Sequence, residues 1–291
     1  MMIILENEQY RAEFATKGAE LQHFIAKKTG MEYIWQADPD KWGRHAPILF
    51  PIVGALKNDQ YHYQDKSYTL PRHGFARDKE FQLVTQTQTT ATFRLTDDEK
   101  TRSVYPFAFQ LDVTYTLVGN QLTVHYHVQN PGEDTCYFSI GAHPAFRVPL
   151  EQDLDFSDYF FTAYPAKSRT MIPLAGNLVD YANRTLGQTN APIDLTHELF
   201  KNDALIFETK GHNEWTIESE KSPHKITLSY EGFPYVGLWS AYPKQAEFVC
   251  IEPWYGVADA LTTTSKLEDK LGICRLEPTE DFHAEYTISV E

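Results

Sequence analysis

Residues 109–128 read Phe109-Gln110-Leu111-Asp112-Val113-Thr114-Tyr115-Thr116-Leu117-Val118-Gly119-Asn120-Gln121-Leu122-Thr123-Val124-His125-Tyr126-His127-Val128. Apolar and polar side chains alternate along both halves, which is the period of a strand with one buried face. The Gly119-Asn120 dipeptide between them supplies a tight turn, so the stretch reads as a β-hairpin. Its apolar face holds Leu122, Val124, Tyr126 and Val128, which leaves His125 and His127 on the other, solvated face.

The same period extends outward from the hairpin. Tyr10-Ala12-Phe14, Phe93-Leu95, Trp215-Ile217, Ile226-Leu228-Tyr230 and Tyr286-Ile288-Val290 all alternate. The continuous apolar runs Tyr235–Trp239 and Phe248–Ile251 suit strands buried on both faces. Helical signals are sparse. Ser265-x-x-Glu268 is a capping-box pattern that predicts a short helix to about Leu271, and residues 194–200 suit a further turn or two. The expected fold is therefore all-β, a large β-sandwich with a few short helices, rather than any βαβ arrangement. No linker divides the chain, so residues 1–291 are expected to form a single domain. Residues 151–196, with weak periodicity and several Gly, Pro and Asn, read as long excursions from a sheet.

Composition narrows the function. The 291 residues are 42% hydrophobic, 23% charged and 14% aromatic, which excludes disorder. Lys plus Arg total 26 against 40 Asp plus Glu, a formal charge of -14 that disfavours nucleic acid and anionic lipid as partners. Three scattered cysteines give neither a disulfide framework nor a zinc pattern, and their odd number fits a reducing compartment. The first residues lack a basic stretch, and the longest apolar run, residues 48–56, is interrupted by Pro51. The expectation is a soluble cytoplasmic protein without a signal peptide or membrane span, a monomer or weak dimer.

Three segments place titratable groups in apolar or Gly/Pro-rich settings. In Leu70-Pro71-Arg72-His73-Gly74-Phe75-Ala76-Arg77-Asp78, neighbouring arginines press His73 to stay neutral, offering one donor and one acceptor. In Ser139-Ile140-Gly141-Ala142-His143-Pro144-Ala145-Phe146, Pro144 keeps His143 out of the helical region, as suits a strand end aimed at a cleft. In Phe248-Val249-Cys250-Ile251-Glu252-Pro253-Trp254-Tyr255-Gly256, apolar residues deliver a carboxylate to the end of a buried strand, where burial makes it a stronger base or requires a partner. Taken singly, a loop histidine, a core histidine and a structural ion pair are competing readings. Together the three make a two-histidine, one-carboxylate set. Such a set suits either non-haem iron or general acid-base catalysis. The only close histidine pair, His125-x-His127, lies on the solvated strand face, which weakens a metal reading. His23, His45, His62, His197, His212, His224 and His283 read as surface residues.

At these residues the sequence resembles the aldose 1-epimerase (galactose mutarotase-like) family, in its LacX-type branch. The resemblance rests on Pro47-Ile48-Leu49-Phe50-Pro51-Ile52-Val53-Gly54, residues 70–78, Gly141-Ala142-His143-Pro144-Ala145-Phe146 and Ile251-Glu252-Pro253-Trp254, whose order and spacing span the chain. It implies a galactose mutarotase-like supersandwich acting on a monosaccharide without metal or other cofactor. By position, Glu252 resembles the family's general base at the anomeric hydroxyl and His143 its general acid at the ring oxygen. His73 would hydrogen-bond near that oxygen, and Asp203, in Asn202-Asp203-Ala204-Leu205, resembles a hydroxyl-binding aspartate. Arg77 and Arg44 are candidate hydroxyl or phosphate ligands, and Trp239 and Trp254 are candidates to stack on a sugar face, with core packing the preferred reading. Related sequences carry an arginine where this chain has Ala55, so Arg44, Lys57 or Arg77 must substitute there, or the preferred sugar differs. The leading expectation is an isomerase that interconverts hexose anomers. Alternatives are a hexose-6-phosphate epimerase, a sugar-binding module without turnover, and a cupin-like metalloenzyme using His73, His143 and Glu252.

Overall fold

The computed structural model describes residues 2–291. The hairpin of residues 109–128 lies near the middle of a nine-stranded antiparallel sheet, as strands Gln110–Val118 and Gln121–Gln129. They pair Leu117 with Leu122 and Val118 with Gln121, so Gly119-Asn120 is a two-residue turn. The final strand, Asp281–Val290, runs beside Gln121–Gln129, and the other expected alternating runs extend the same sheet to both sides. One exception is Tyr10–Ala15, which belongs to a separate four-stranded sheet near the N-terminus.

A second, eight-stranded sheet carries the continuous apolar runs. Tyr235–Trp239 pairs with Phe248–Tyr255, and both are buried almost throughout. Leu111, Val113, Tyr115, Val124 and Tyr126 of the first sheet share one core with Val236, Leu238, Val249 and Ile251 of the second. That is sheet-on-sheet packing, with inward side chains alternating on the outer layer and a central layer buried on both faces.

Helix is scarce, but not where the sequence pattern put it. Ser265 has φ +61°, incompatible with an N-cap, and only the 3₁₀ turn Leu267–Asp269 follows. A side chain in the left-handed region cannot enter a helix as its cap, whose backbone is extended. The expected turn near residue 200 is the 3₁₀ helix His197–Phe200. The one α-helix among the described residues, Glu99–Val104, escaped the sequence reading. Its cap is Asp98, which accepts from Thr101 N at 2.6 Å while Thr101 Oγ1 accepts from Asp98 N at 2.8 Å. The reciprocal bond comes from a threonine rather than the usual Glu or Gln.

Candidate active site

Glu252 lies in the interior of the strand Phe248–Tyr255, not at its end as the apolar run suggested. Two short strands flank one edge of it, Ile140–Ala142 and Ala145–Arg147. Gly141 pairs with Trp254 and Ala145 pairs with Cys250, so counting inward from both sets His143 across from Glu252. The ladder lapses between those pairs, where Pro144 and Pro253 have no N–H to donate. Facing side chains on antiparallel strands stand about 5 Å apart at Cβ, within reach of one another. His143 Nε2 accordingly lies 3.2 Å from Glu252 Oε2.

Both groups are buried, at 7% and 1% exposure. Burial drives the His143 imidazole down to about 3, with Arg77 adding to the effect. Burial likewise pushes the Glu252 carboxyl well above its usual range, aided by the Asp203 charge. Each shift favours the uncharged form of its group, which tilts the pair towards a neutral imidazole and a protonated carboxyl. Their contact is close without being an aligned hydrogen bond, and Glu252 Oε2 and His143 Nδ1 have no hydrogen-bond partner among the described residues.

His73 reaches the pair from another loop. His73 and Gly74 are consecutive left-handed residues, at φ +68° and +70°, and a Cβ at Gly74 would collide with the Phe50 carbonyl. This turn is zipped to residues 50–54 by His73 N–H to Gly54 O (2.9 Å) and Phe75 N–H to Phe50 O (3.0 Å). Gly54 N–H then donates to His73 Nδ1 at 3.1 Å, which places the imidazole proton on Nε2. His73 is held well below the usual imidazole range, first by burial, then by His143, Arg77 and Arg72. The sequence attributed its neutrality to the arginines alone; burial is the larger cause.

The three residues line one open cleft of about 220 Å³. Arg72, Arg77 and Asp203 line it too. Asp203 sits in a left-handed turn at φ +73°, its carboxylate 3.8 Å from Arg72. Arg77 donates to the Arg72 carbonyl at 2.7 Å. Trp254 forms part of the wall, its indole lying where a Cβ on Gly141 or Gly237 would collide with it.

Several expectations are corrected. Arg44 does not line the cleft; it pairs with Asp78 at 3.1 Å. Neither does Lys57 fill the space beside Ala55. Of the two readings for Trp239 and Trp254, stacking at a sugar site and core packing, both find support: each lines the cleft as well as packing against its neighbours. His45, expected at the surface, is half-buried, and burial lowers it to about 4. Trp42 was missed altogether. Its ring stacks on His143 with centroids 4.9 Å apart, while Trp239 and His73 meet that imidazole edge-on at 5.5 Å. No local pattern marks Trp42, which sits in an irregular segment. Leu174 and Asn177 were missed likewise; they reach the cleft from the weakly periodic excursion, and Asn177 accepts from Arg72.

His143, Cys250 and Glu252 bring potential ligand atoms within 4.8 Å of one another. Burial and the Glu252 charge push the Cys250 thiol well up, which disfavours the thiolate that a metal needs.

Residues 1–286 match the aldose 1-epimerase family model. The chain belongs to the aldose 1-epimerase family. Within that family it is similar to the chromosomal LacX protein of Lactococcus lactis subsp. lactis, 34% identical over all of this chain and 99% of the relative. A galactose mutarotase related enzyme from Lactobacillus acidophilus has the same fold at TM-score 0.99 and 40% identity, covering 100% of this chain and 97% of that one. A galactose mutarotase-like protein from Lactobacillus casei aligns at TM-score 0.91 and 33% identity over the full length of both. The β-sandwich of this family member is thus that of galactose mutarotase-like proteins. Among its described residues no helix is long and apolar enough to cross a membrane.

Proposed function

We propose that the protein interconverts the α and β anomers of a free hexose, with Glu252 and His143 as its acid-base pair. One observation carries this reading: a carboxylate and an imidazole meet at 3.2 Å in a cleft, each with a buried polar atom left unpartnered. A polyol supplies the hydroxyl partners that such a pair lacks.

In ring opening, ionised Glu252 takes the proton of the anomeric hydroxyl while protonated His143 gives one to the ring oxygen. The C1–O5 bond breaks as the C1 carbonyl forms. The C1–C2 bond rotates, and closure on the other carbonyl face inverts C1. For closure neutral His143 takes the O5 proton, and protonated Glu252 returns one to the carbonyl oxygen. The uncharged form that burial favours is the form that closes the ring; sugar hydroxyls donating to Glu252 lower its proton affinity and help create the form that opens it. His73, with Nε2–H free, serves as a donor near the ring oxygen. Trp42, Trp239 and Trp254 offer rings to the sugar's apolar face.

Polarimetry on freshly dissolved α-glucose and α-galactose tests the assignment. The parent protein is expected to speed relaxation and Glu252→Gln to relax at the spontaneous rate; a variant as fast as the parent overturns it.

One feature favours a phosphorylated sugar as second reading. Arg72, Asp203, Trp42 and Trp239 are shared with an adjoining hollow that Lys41, Lys201 and Lys244 also line. A 6-phosphate directed there would meet cations in an otherwise acidic protein. Faster relaxation of glucose 6-phosphate than of glucose would select this reading.

A further inference from the structure

The outer face of the nine-stranded sheet carries a second cluster of histidines, remote in character from the cleft. His127 and His283 face each other on adjacent antiparallel strands. Asp281 lies two residues before His283, and therefore on the same face of the sheet. Both imidazoles approach one carboxylate oxygen: His127 Nε2 is hydrogen-bonded to Asp281 Oδ2 at 3.1 Å, and His283 Nε2 lies 3.3 Å from the same atom. The two rings stack at 4.3 Å with 10° between planes.

From this arrangement we propose that His127, His283 and Asp281 form a binding site for a divalent transition cation, zinc being the best fit. Donors about 2.0–2.1 Å from a tetrahedral zinc stand roughly 3.3 Å apart. Each imidazole stands at about that distance from Asp281 Oδ2, and all three ligand atoms lie within 4.8 Å of one another. Turning the stacked rings apart would bring both lone pairs onto one ion. Two imidazoles with one carboxylate favour zinc, nickel or copper over magnesium or calcium, which prefer all-oxygen shells. Three protein ligands leave a fourth position for water. An outer partner is also present. His283 Nδ1 and His125 Nε2 are 3.1 Å apart, so a proton on Nδ1 donated to His125 leaves the His283 Nε2 lone pair free for the metal. Across from His125, in register, stands Glu285. Bound there, the cation ties the final strand to the central hairpin by a cross-strand clasp, away from the Glu252 chemistry.

The test uses the full-length protein after chelator treatment and dialysis. Zinc chloride is titrated against a competing chromophoric chelator, and cobalt(II) serves as the spectroscopic probe. One equivalent of zinc is expected, with affinity at least tenfold weaker in His127→Gln and in His283→Gln. Asp281→Asn is a third, independent variant, and circular dichroism verifies that each remains folded. Zinc should raise the melting temperature of the parent and not of the variants. The cobalt spectrum should lack the thiolate charge-transfer band that binding at Cys250 would produce. Failure of the parent to bind zinc, undiminished binding by folded variants, or a thiolate band that persists in them overturns the proposal.

Discussion

His143 faces Glu252 across two antiparallel strands much as His127 faces His283, yet the two pairings are opposite environments. The first lies on the central sheet, covered on both sides, with exposures of 7% and 1%. The second lies on the open face of the outer sheet, where His127 is partly exposed and His283 exposed. Cross-strand register makes both encounters; burial alone separates their chemistry. In the cleft, desolvation strips charge from both partners and leaves a single proton to be moved. On the outer face, water keeps the groups hydrated and open to a cation. Imidazole and carboxylate therefore meet dry in one place and hydrated in the other.

The strongest way to break this contrast is to remove the buried partners. Glu252→Gln and His143→Asn should each lower kcat by about 10²- to 10⁴-fold in polarimetric assays. The double variant should be little worse than the poorer single one, because the two proton transfers belong to one step and neither group serves it without the other. Additive losses would show two independent groups instead.

His73→Ala tests whether the cleft depends on its shared loop. The change strands the Gly54 N–H, so urea denaturation should show a loss of about 2 kcal/mol. Unchanged stability would mean that the 50–54 and 72–77 loops hold each other without it.

Trp42→Ala removes the ring stacked on His143. A contact of this kind is worth about 1 kcal/mol, so kcat/KM should fall by about tenfold or less. A fall as deep as that of the dyad variants would give Trp42 a role beyond packing.

The gentlest effect is the absence of one. The one-proton form of the pair is lost on acidification only as His143 takes a second proton, near 3, and at high pH only above the raised Glu252 value. Between pH 6.5 and 5, kcat/KM should therefore change by less than about twofold, whereas an ordinary imidazole would give a clear acid limb. Stability moves oppositely. As pH falls from 6.5 towards 3, the unfolded His143 gains a proton that the native one refuses, so this group destabilises the fold progressively, and His143→Asn should flatten that slope in denaturation series. Substituting His127 or His283 by Gln should leave the anomerisation rate within about twofold of the parent.

Alternation made the hairpin and the outer sheet legible, and unbroken apolar runs the buried central strands, since both patterns are written in neighbouring residues. The helix at Glu99 was not, because its cap pairs Asp98 with a threonine, and the false helix at Ser265 failed on a backbone angle that composition does not reveal. At the cleft, Glu252, His143 and His73 stood out by their apolar or Gly/Pro-rich settings. Trp42, Leu174 and Asn177 carried no such mark, and Arg44, singled out by proximity, turned instead to Asp78.

The sequence by itself determined the all-β architecture and the short list of unusual titratable residues, both products of local pattern and motif. Which of them meet was decided only by tertiary structure. Register between strands distant along the chain set His143 opposite Glu252 and His127 opposite His283. The depth of the cleft pair then set its proton affinity, because desolvation depends on what packs overhead and not on the residues beside it in the chain.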